Sequence, residues 1–353
     1  MAPACRVRED HLRAPPLAGR SLNRRHAAGL AALAMLAAGF GLSQRRGVRP
    51  GVTEKLSIAL PLAPHAGLIH LASVQGFFEA RGLSVTVLPQ THGKAALAEL
   101  LRGGADLAAA ADVPIVIEIL KGAPLSIVTT VASASNELAV LARRDRMRLS
   151  PADLQGRRVG VSLGTSGEYF LWAFMVRQRL APQSLVLVDL PPSRLVDALR
   201  DGSVDAIAAW QPVRHDAERA LGNLVGSFTA PDAYAQNYAI VGHGEFLARR
   251  GEALRRMMLA LLDAERFVQA SPAAAKQLLA AGLKLSPEAL EPAWQDLDLA
   301  VDQQQDQLIT LEDVANWAMA RGYAPAQRMP NFLAHLSIEA LQAVSPERVT
   351  VVR

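Results

Sequence analysis

From about residue 56 onward, short apolar runs alternate with longer stretches in which apolar residues recur at helical spacing. Short apolar runs bounded by glycine, proline and small polar residues are typical of strands. They predict strands at 56–60, 83–88, 106–110, 124–131, 136–142, 159–162, 185–190, 204–209, 223–227 and 237–241. Strands that alternate with helices of about 10–15 residues are typical of a mostly parallel α/β sheet. Beyond residue 241 the pattern predicts helices at 246–269, 273–281, 286–295 and 311–320.

One unit of sequence occurs twice, at 100–114 (LLRGGADLAAAADVP) and at 198–213 (ALRDGSVDAIAAWQPV). Each copy has the pattern of a helix end, a glycine turn, a short apolar strand, a polar residue and a proline. Two copies about 100 residues apart predict two similar α/β lobes. Ligands of open α/β sheets bind beyond the carboxyl ends of the strands. We therefore expect Asp112 and Trp210-Gln211, which end the two apolar strands, to face each other across a cleft.

Other loops that end a strand and begin a helix are further candidates for this cleft. The free N–H groups of a helix N-terminus bind anions and polar ligand groups. The candidates on these loops are His65, Ala66, His92, Gly93, Gly164, Thr165 and Ser166. Glycine at 164 lets the backbone approach a ligand closely, and the two hydroxyls after it supply donors. Each polar candidate has an alternative role as a helix cap or a solvated loop residue.

Three more residues are assigned to the cleft, with alternatives left open. Trp210 offers an apolar face and one N–H donor to a ligand, or else packs beneath the following helix. Tyr238 lies in the strand that returns to the first lobe. Glu168 places a negative charge beside Thr165-Ser166, which disfavours a bare anion and suits an amine-bearing ligand. Since no pair among His65, His92 and Asp112 has the helix-face spacing of zinc ligands, we predict neither a metal site nor a cofactor.

Charge is divided unevenly along the chain, and this changes the meaning of the net charge of +4. Residues 1–50 contain nine arginines and two acids, so the remainder carries a net charge of −3. That remainder shows no basic stripe, which argues against nucleic-acid binding. The single cysteine, Cys5, lies in the basic segment. The rest of the chain therefore has no disulfide, thiolate metal ligand or cysteine nucleophile.

The N-terminal segment has the pattern of an export signal. Arg24-Arg25 precede the apolar run 27–42, and Ala37-Ala38-Gly39 is a small-residue cleavage site. The run is long for a signal peptide and short for a membrane span, so a cleaved signal and an uncleaved inner-membrane anchor both stay open. Phe40 stands where a lipoprotein would have its lipidated cysteine, so the protein is not a lipoprotein. We predict a periplasmic location.

Four motifs resemble the solute-binding proteins of bacterial ABC transporters, in the nitrate, sulfonate and taurine group with its thiamine-precursor-like members. They are QGFFEARGL at 75–83, LQGRRVGV at 154–161, GTS at 164–166, and GSVDA through WQP at 202–212. The resemblance implies a type II periplasmic-binding α/β fold of two lobes, each a mixed, mostly parallel sheet flanked by helices, with two crossings as a hinge. It implies a signal or anchor at 1–43, lobe 1 from 54 to 142, lobe 2 from 143 to 240, and a return to lobe 1 with C-terminal helices at 241–353.

The same resemblance implies a function. The protein would capture a small polar solute, sulfonate-, taurine-, nitrate- or thiamine-precursor-like, and deliver it to a membrane permease and its ATPase, as a monomer and without catalysis. Family binding positions fall on the loops chosen above, but members that grip a sulfonate often have a histidine where Glu168 stands. Two alternatives stay open. One is an enzyme on the same fold, with His65, His92, Asp112 and Glu168 in acid–base roles. The other is an anchored sensory domain.

Overall fold

The computed structural model describes residues 53–324 and 328–352. Residues 48–353 form one compact unit. The predicted export segment, its arginines and Cys5 lie outside the described residues. Within the described ranges, no helix is long and apolar enough to cross a membrane.

The order of strands and helices follows the predicted alternation. The strands are β1 (Glu54–Pro61), β2 (Leu83–Gln90), β3 (Leu107–Ala111), β4 (Leu125–Ala134), β5 (Ala139–Arg143), β6 (Arg158–Val161), β7 (Val186–Asp189), β8 (Ala206–Ala209), β9 (Val225–Phe228) and β10 (Gln236–His243). The helices are α1 (Gly67–Val74), α2 (Phe77–Ala80), α3 (Gly93–Leu101), α4 (Asp112–Leu120), α5 (Ser166–Arg177), α6 (Pro192–Asp201), α7 (Val213–Leu221), α8 (Gly244–Arg249), α9 (Gly251–Ala270), α10 (Pro272–Leu283), α11 (Pro287–Asp296), α12 (Asp306–Ala320) and α13 (Glu339–Gln342). Short 3₁₀ turns include Pro64–Ala66 and Pro151–Leu154.

The strands form two five-stranded sheets with equivalent orders, β2-β1-β3-β10-β4 and β7-β6-β8-β5-β9. In each sheet the fourth strand in this order, β10 or β5, runs antiparallel to its neighbours. The paired strands at the centre are parallel, β1 with β2 and β3, and β6 with β7 and β8. The repeated sequence unit supplies β3 and β8, one central strand in each sheet. The predicted fold of two similar, mixed α/β lobes is confirmed.

The central strands are built from small apolar residues because helices cover both of their faces. Every residue of β3 (LAAAA) and of β8 (AIAA) is buried. Strands buried on both faces have continuous apolar runs rather than alternating ones. Alanine at these positions lets helices approach the sheet closely, as α3 does against β3 and α5 against β8.

The chain passes twice between the sheets, once from β4 to β5 and once from β9 to β10. The C-terminal helices then pack on the first sheet's side of the molecule: α9 lies against α1 and α2, and α12 lies against α4. Helix α5 of the second lobe also contacts α4. The two lobes therefore meet at α4, between the crossings and the C-terminal helix α12.

Three of the differences between predicted and observed element boundaries have a local structural reason. The helix predicted at 246–269 is two helices, because the chain turns at Arg250, whose N–H bonds to the Leu247 carbonyl. Helix α12 begins at Asp306, five residues before the predicted start at 311, and an acidic residue in the first turn favours a helix N-terminus. The strand predicted at 136–142 begins at Ala139, because residues 135–138 form the first crossing.

Candidate functional site

A cavity of about 530 Å³ lies between the lobes, beyond the carboxyl ends of β1, β2 and β3 on one side and of β6, β7 and β8 on the other. Loops that follow these strands form its walls, as expected for an open α/β sheet. Among the predicted site residues, those that line it are His65, His92, Gly93, Thr165, Ser166, Trp210 and Tyr238. Those that lie outside its lining are Ala66, Asp112, Gly164, Glu168 and Gln211.

His65 enters the cavity from the 3₁₀ turn that follows β1, and its ring is held from behind. Its Nδ1 lies 3.2 Å from Glu137 Oε1, in the first crossing between the lobes. The other carboxylate oxygen of Glu137 accepts a hydrogen bond from Gln236 Nε2 at 3.3 Å. The His65 ring also packs against the Tyr238 ring, with centroids 3.9 Å apart. All four side chains are buried, so His65 is fixed in one orientation at the cavity wall.

The N-terminus of α5 forms the second wall that the sequence predicted. Thr165 is the residue before the helix, and its hydroxyl donates to the Ser162 carbonyl at 2.7 Å. The approach to the second sheet is close, because a Cβ on Gly167 would lie 3.2 Å from the Ala208 carbonyl and 3.3 Å from the Trp210 ring. Trp210 therefore packs beneath α5 and also lines the cavity. The backbone N–H groups of the first turn of a helix have no intrahelical partners and favour negative ligand groups.

Glu168 lies behind this wall, buried and fully engaged by protein groups. One carboxylate oxygen accepts from Arg321, with Nη2 at 2.9 Å. The other accepts from the Gly164 N–H at 2.8 Å and from the Tyr323 hydroxyl. The Gly164 N–H is therefore used by a protein group. Because Arg321 balances its charge, the argument that Glu168 disfavours an anionic ligand does not hold in this arrangement.

Asp112 and Gln211, the pair expected to face each other, are both buried and bound to backbone groups. Asp112 accepts from the N–H groups of Val113 at 2.8 Å and Asn237 at 3.1 Å and from the Tyr234 hydroxyl. Burial raises the pKa of Asp112 to about 6, against the opposing effect of these hydrogen bonds. Gln211 Oε1 accepts from the His215 N–H at 3.2 Å, in the first turn of α7. Both residues hold elements that border the cleft.

The cavity lining carries more basic than acidic side chains. Lys94, Arg200 and Arg219 line it, against a single lining acid, Asp216. Asp216 pairs with Arg219 at 3.9 Å, and Arg200 pairs with Asp197. About half or more of each of these four side chains is exposed to solvent. Lys94 Nζ donates to the Leu163 carbonyl at 2.9 Å, which joins the two lobes across the cleft.

Apolar groups complete the cavity, and sequence reasoning did not select them. They come mainly from the loop after β7 and from the facing sides of α6 and α7: Leu62, Pro191, Pro192, Val196 and Val213. The available signal was Pro191-Pro192, which follows the carboxyl end of a predicted strand, as the chosen loops do. Arg200 and Arg219 carried no such signal, because basic residues on amphipathic helices are usually solvated.

No group of three or more histidine, cysteine, aspartate or glutamate side chains lies close enough to hold a metal ion within residues 53–324 and 328–352.

Burial lowers the pKa of His92, and the neighbouring Lys94 charge acts in the same direction. His92 therefore offers the cavity a neutral ring.

Solved structures of similar fold include periplasmic binding proteins. The alkanesulfonate-binding protein SsuA from Xanthomonas axonopodis pv. citri, bound to MOPS, superposes with a TM-score of 0.69 at 20% identity, over 82% of this chain and 99% of that one. The nitrate-binding protein NrtA from Synechocystis PCC 6803 superposes with a TM-score of 0.68 at 13% identity, over 86% of this chain and 93% of that one. These likenesses confirm the type II periplasmic-binding fold.

Sequence comparison gives the family. A putative binding protein from Brucella abortus is 24% identical over 224 residues, which are 63% of this chain and 69% of the relative. The family described as NMT1/THI5 like matches residues 63–275, more than half of the chain. The protein is therefore a member of the NMT1/THI5-like family.

Proposed function

We propose that the protein is the extracytoplasmic substrate-binding protein of an ABC importer and that it captures an organic anion with an apolar portion between its two lobes. The observation that carries the proposal is the interlobe cavity, with its basic excess and an open helix N-terminus at one wall. The family and the structural neighbours support a binding role, since the neighbours' names describe proteins that bind sulfonate and nitrate.

Charge decides between an anionic and a cationic solute. An anion in the cavity meets the Lys94 ammonium and the positive end of α5, together with Arg200 and Arg219, which also pair with Asp197 and Asp216. The same positive groups would repel a cation. The negative charge of buried Glu168, which could have attracted a cation, is already balanced by Arg321. Exposed charge pairs contribute little individually, so the sum and the direction of the field matter more than any one pair.

Size and polarity narrow the solute further. A cavity of about 530 Å³ is in the ordinary range for an organic ligand and far exceeds the space that a bare nitrate ion needs. The prolines and valines of the lining suit an alkyl or aryl group, because removing apolar surface from water favours association. A sulfonate or carboxylate with such a group fits both parts of the lining.

Closure of the lobes would convert binding into a signal for the permease. A ligand that contacts both walls binds the closed form better than the open form and shifts the population toward it. The Lys94–Leu163 hydrogen bond is a contact that this shift would make or break. Export through the predicted N-terminal signal or anchor, and delivery to a permease and its ATPase, complete the proposed role. The solute leaves chemically unchanged.

Thermal-shift measurements with matched solutes test the proposal. Hexanesulfonate, hexanoate and benzenesulfonate should raise the melting temperature, whereas hexanol and hexyltrimethylammonium should not. At a hundredfold excess over the dissociation constant, stabilisation reaches about 2.7 kcal/mol, or about 5 °C for a protein of this size. Stabilisation by the cation alone would contradict the anionic assignment. Chemical conversion of a stabilising solute, detected by mass spectrometry, would show that the protein is an enzyme and would contradict a role in binding alone.

A further inference from the structure

Glu137 is a buried carboxylate directly behind the cavity-lining His65, and no local sequence pattern marks it. It lies in the first crossing between the lobes and is 1% exposed. It contacts His65 from the first lobe's binding loop and Gln236 from the start of β10, where the second crossing ends. One side chain therefore joins a cavity-lining histidine to both connections between the lobes.

We propose that Glu137 is a positioning residue that keeps His65 doubly protonated, so that the Nε2–H of an imidazolium donates to the anionic group of the solute. The proposal rests on the proposed function for the charge of the solute, but the protonation of His65 can be measured without any solute.

The hydrogen-bond geometry accounts for the first of the two ring protons, the one on Nδ1. An ionised carboxylate only accepts hydrogen bonds, so His65 Nδ1, at 3.2 Å from Glu137 Oε1, carries a proton. Gln236 Nε2 donates to the second oxygen, which further favours the ionised carboxylate. Nε2 of His65 has no hydrogen-bond partner among the described residues, and the ring lines the cavity. A neutral ring would present a lone pair there, and only the imidazolium presents a second donor.

Neighbouring groups support a positive charge on His65. The Tyr238 ring lies 3.9 Å from the imidazole, within the range of a cation–π contact. Burial raises the pKa of Tyr238 well above its ordinary value, and the Glu137 charge adds to this, so Tyr238 stays a neutral phenol that faces the imidazole with its ring. Burial also lowers the pKa of His70 in α1, which leaves that neighbour neutral and removes a competing cation.

One neighbouring effect opposes the charge. His65 precedes α1, and a helix N-terminus carries about half a positive charge. Glu137 carries a full negative charge in direct contact and is shielded from water. The carboxylate is therefore the larger influence, because an unpaired buried carboxylate is far more costly than a cation near a helix end.

Nitrogen NMR of histidine-labelled protein reads the ring state directly. In the solute-free wild type near neutral pH, both ring nitrogens of His65, assigned with a His65→Asn variant, should be protonated. In Glu137→Gln, which keeps the shape and removes the charge, one ring nitrogen should lose its proton. The affinity for hexanesulfonate should fall about tenfold, the loss of one charge-assisted hydrogen bond. Glu245→Gln, at a side chain that is 90% exposed, is the matched control and should change neither result.

A neutral His65 in the wild type overturns the proposal, and so does an imidazolium that persists in Glu137→Gln. If Glu137→Gln does not fold, the wild-type spectrum still decides the question. Gln236→Leu then serves as the second variant, because it removes a donor to Glu137 without removing the charge and should leave His65 doubly protonated. Failure of hexanesulfonate to bind the wild type would count against the proposed function for that probe and leave the spectroscopic result standing.

Discussion

Replacing Glu168 by glutamine tests whether this carboxylate fastens the second lobe to the C-terminal segment. Glu168 is on α5, whereas Arg321 and Tyr323 follow α12, which packs on α4 of the first lobe. The glutamine keeps the shape of the side chain but removes the charge and one acceptor. Gly164, in the loop before α5, is bound to the same carboxylate. The substitution should therefore loosen the loop and the C-terminal segment together.

The expected loss is the sum of three weakened contacts. Arg321 is 43% exposed and can turn to water, so losing its ionic partner costs about 1 kcal/mol. The Gly164 N–H and the Tyr323 hydroxyl exchange a charged acceptor for a neutral one, at about 1 kcal/mol each. The total is about 3 kcal/mol, or about 6 °C in melting temperature for a protein of this size.

Calorimetry of Glu168→Gln beside Glu245→Gln measures this loss. The control removes a carboxylate that is 90% exposed and should melt within about 1 °C of the wild type. A Glu168→Gln protein that melts with its control would show that the buried carboxylate contributes nothing net to the attachment of α5, and the reasoning would fail.

Two further predictions concern residues that hold the walls of the cleft. The native state keeps the Asp112 proton up to about pH 6, whereas the unfolded chain releases it near the ordinary value of 3.8, so stability should fall by about 3 kcal/mol as pH rises between these values. Urea unfolding should show a shallower fall in Asp112→Asn, and equal slopes would refute the assignment. Gly167→Ala should destabilise by about 1–2 kcal/mol, because its Cβ meets the Trp210 ring at 3.3 Å. Gly282→Ala, which has nothing within 4 Å, should be neutral or stabilising in the same unfolding assay, and a reversed order would contradict the packing argument.

The periodicity of the sequence predicted the fold because local pattern and topology agree. The repeated glycine-turn and apolar-strand unit marked β3 and β8, and the rule for strand ends then identified loops that do line the cavity, at His65, His92 and Thr165. Those loops could be found because strand ends and helix starts leave a local signal.

The remaining features of the site depend on contacts between distant parts of the chain. Glu137 is 72 residues from His65, and Arg321 is 153 residues from Glu168, so no local pattern reports either pair. Asp112 had the residue type of a ligand group and the position of a strand end, yet backbone N–H groups use its carboxylate. Sequence position alone does not tell which polar group faces the cavity and which supports it.

Capture between the lobes is tested most directly by small-angle scattering of the protein alone and with the anion that raises its melting temperature most. Because a solute held by both walls favours the closed form, the radius of gyration should fall on binding and should not change with the matched cation. An anion that stabilises the protein yet leaves the radius of gyration unchanged would contradict capture by closure of the two lobes.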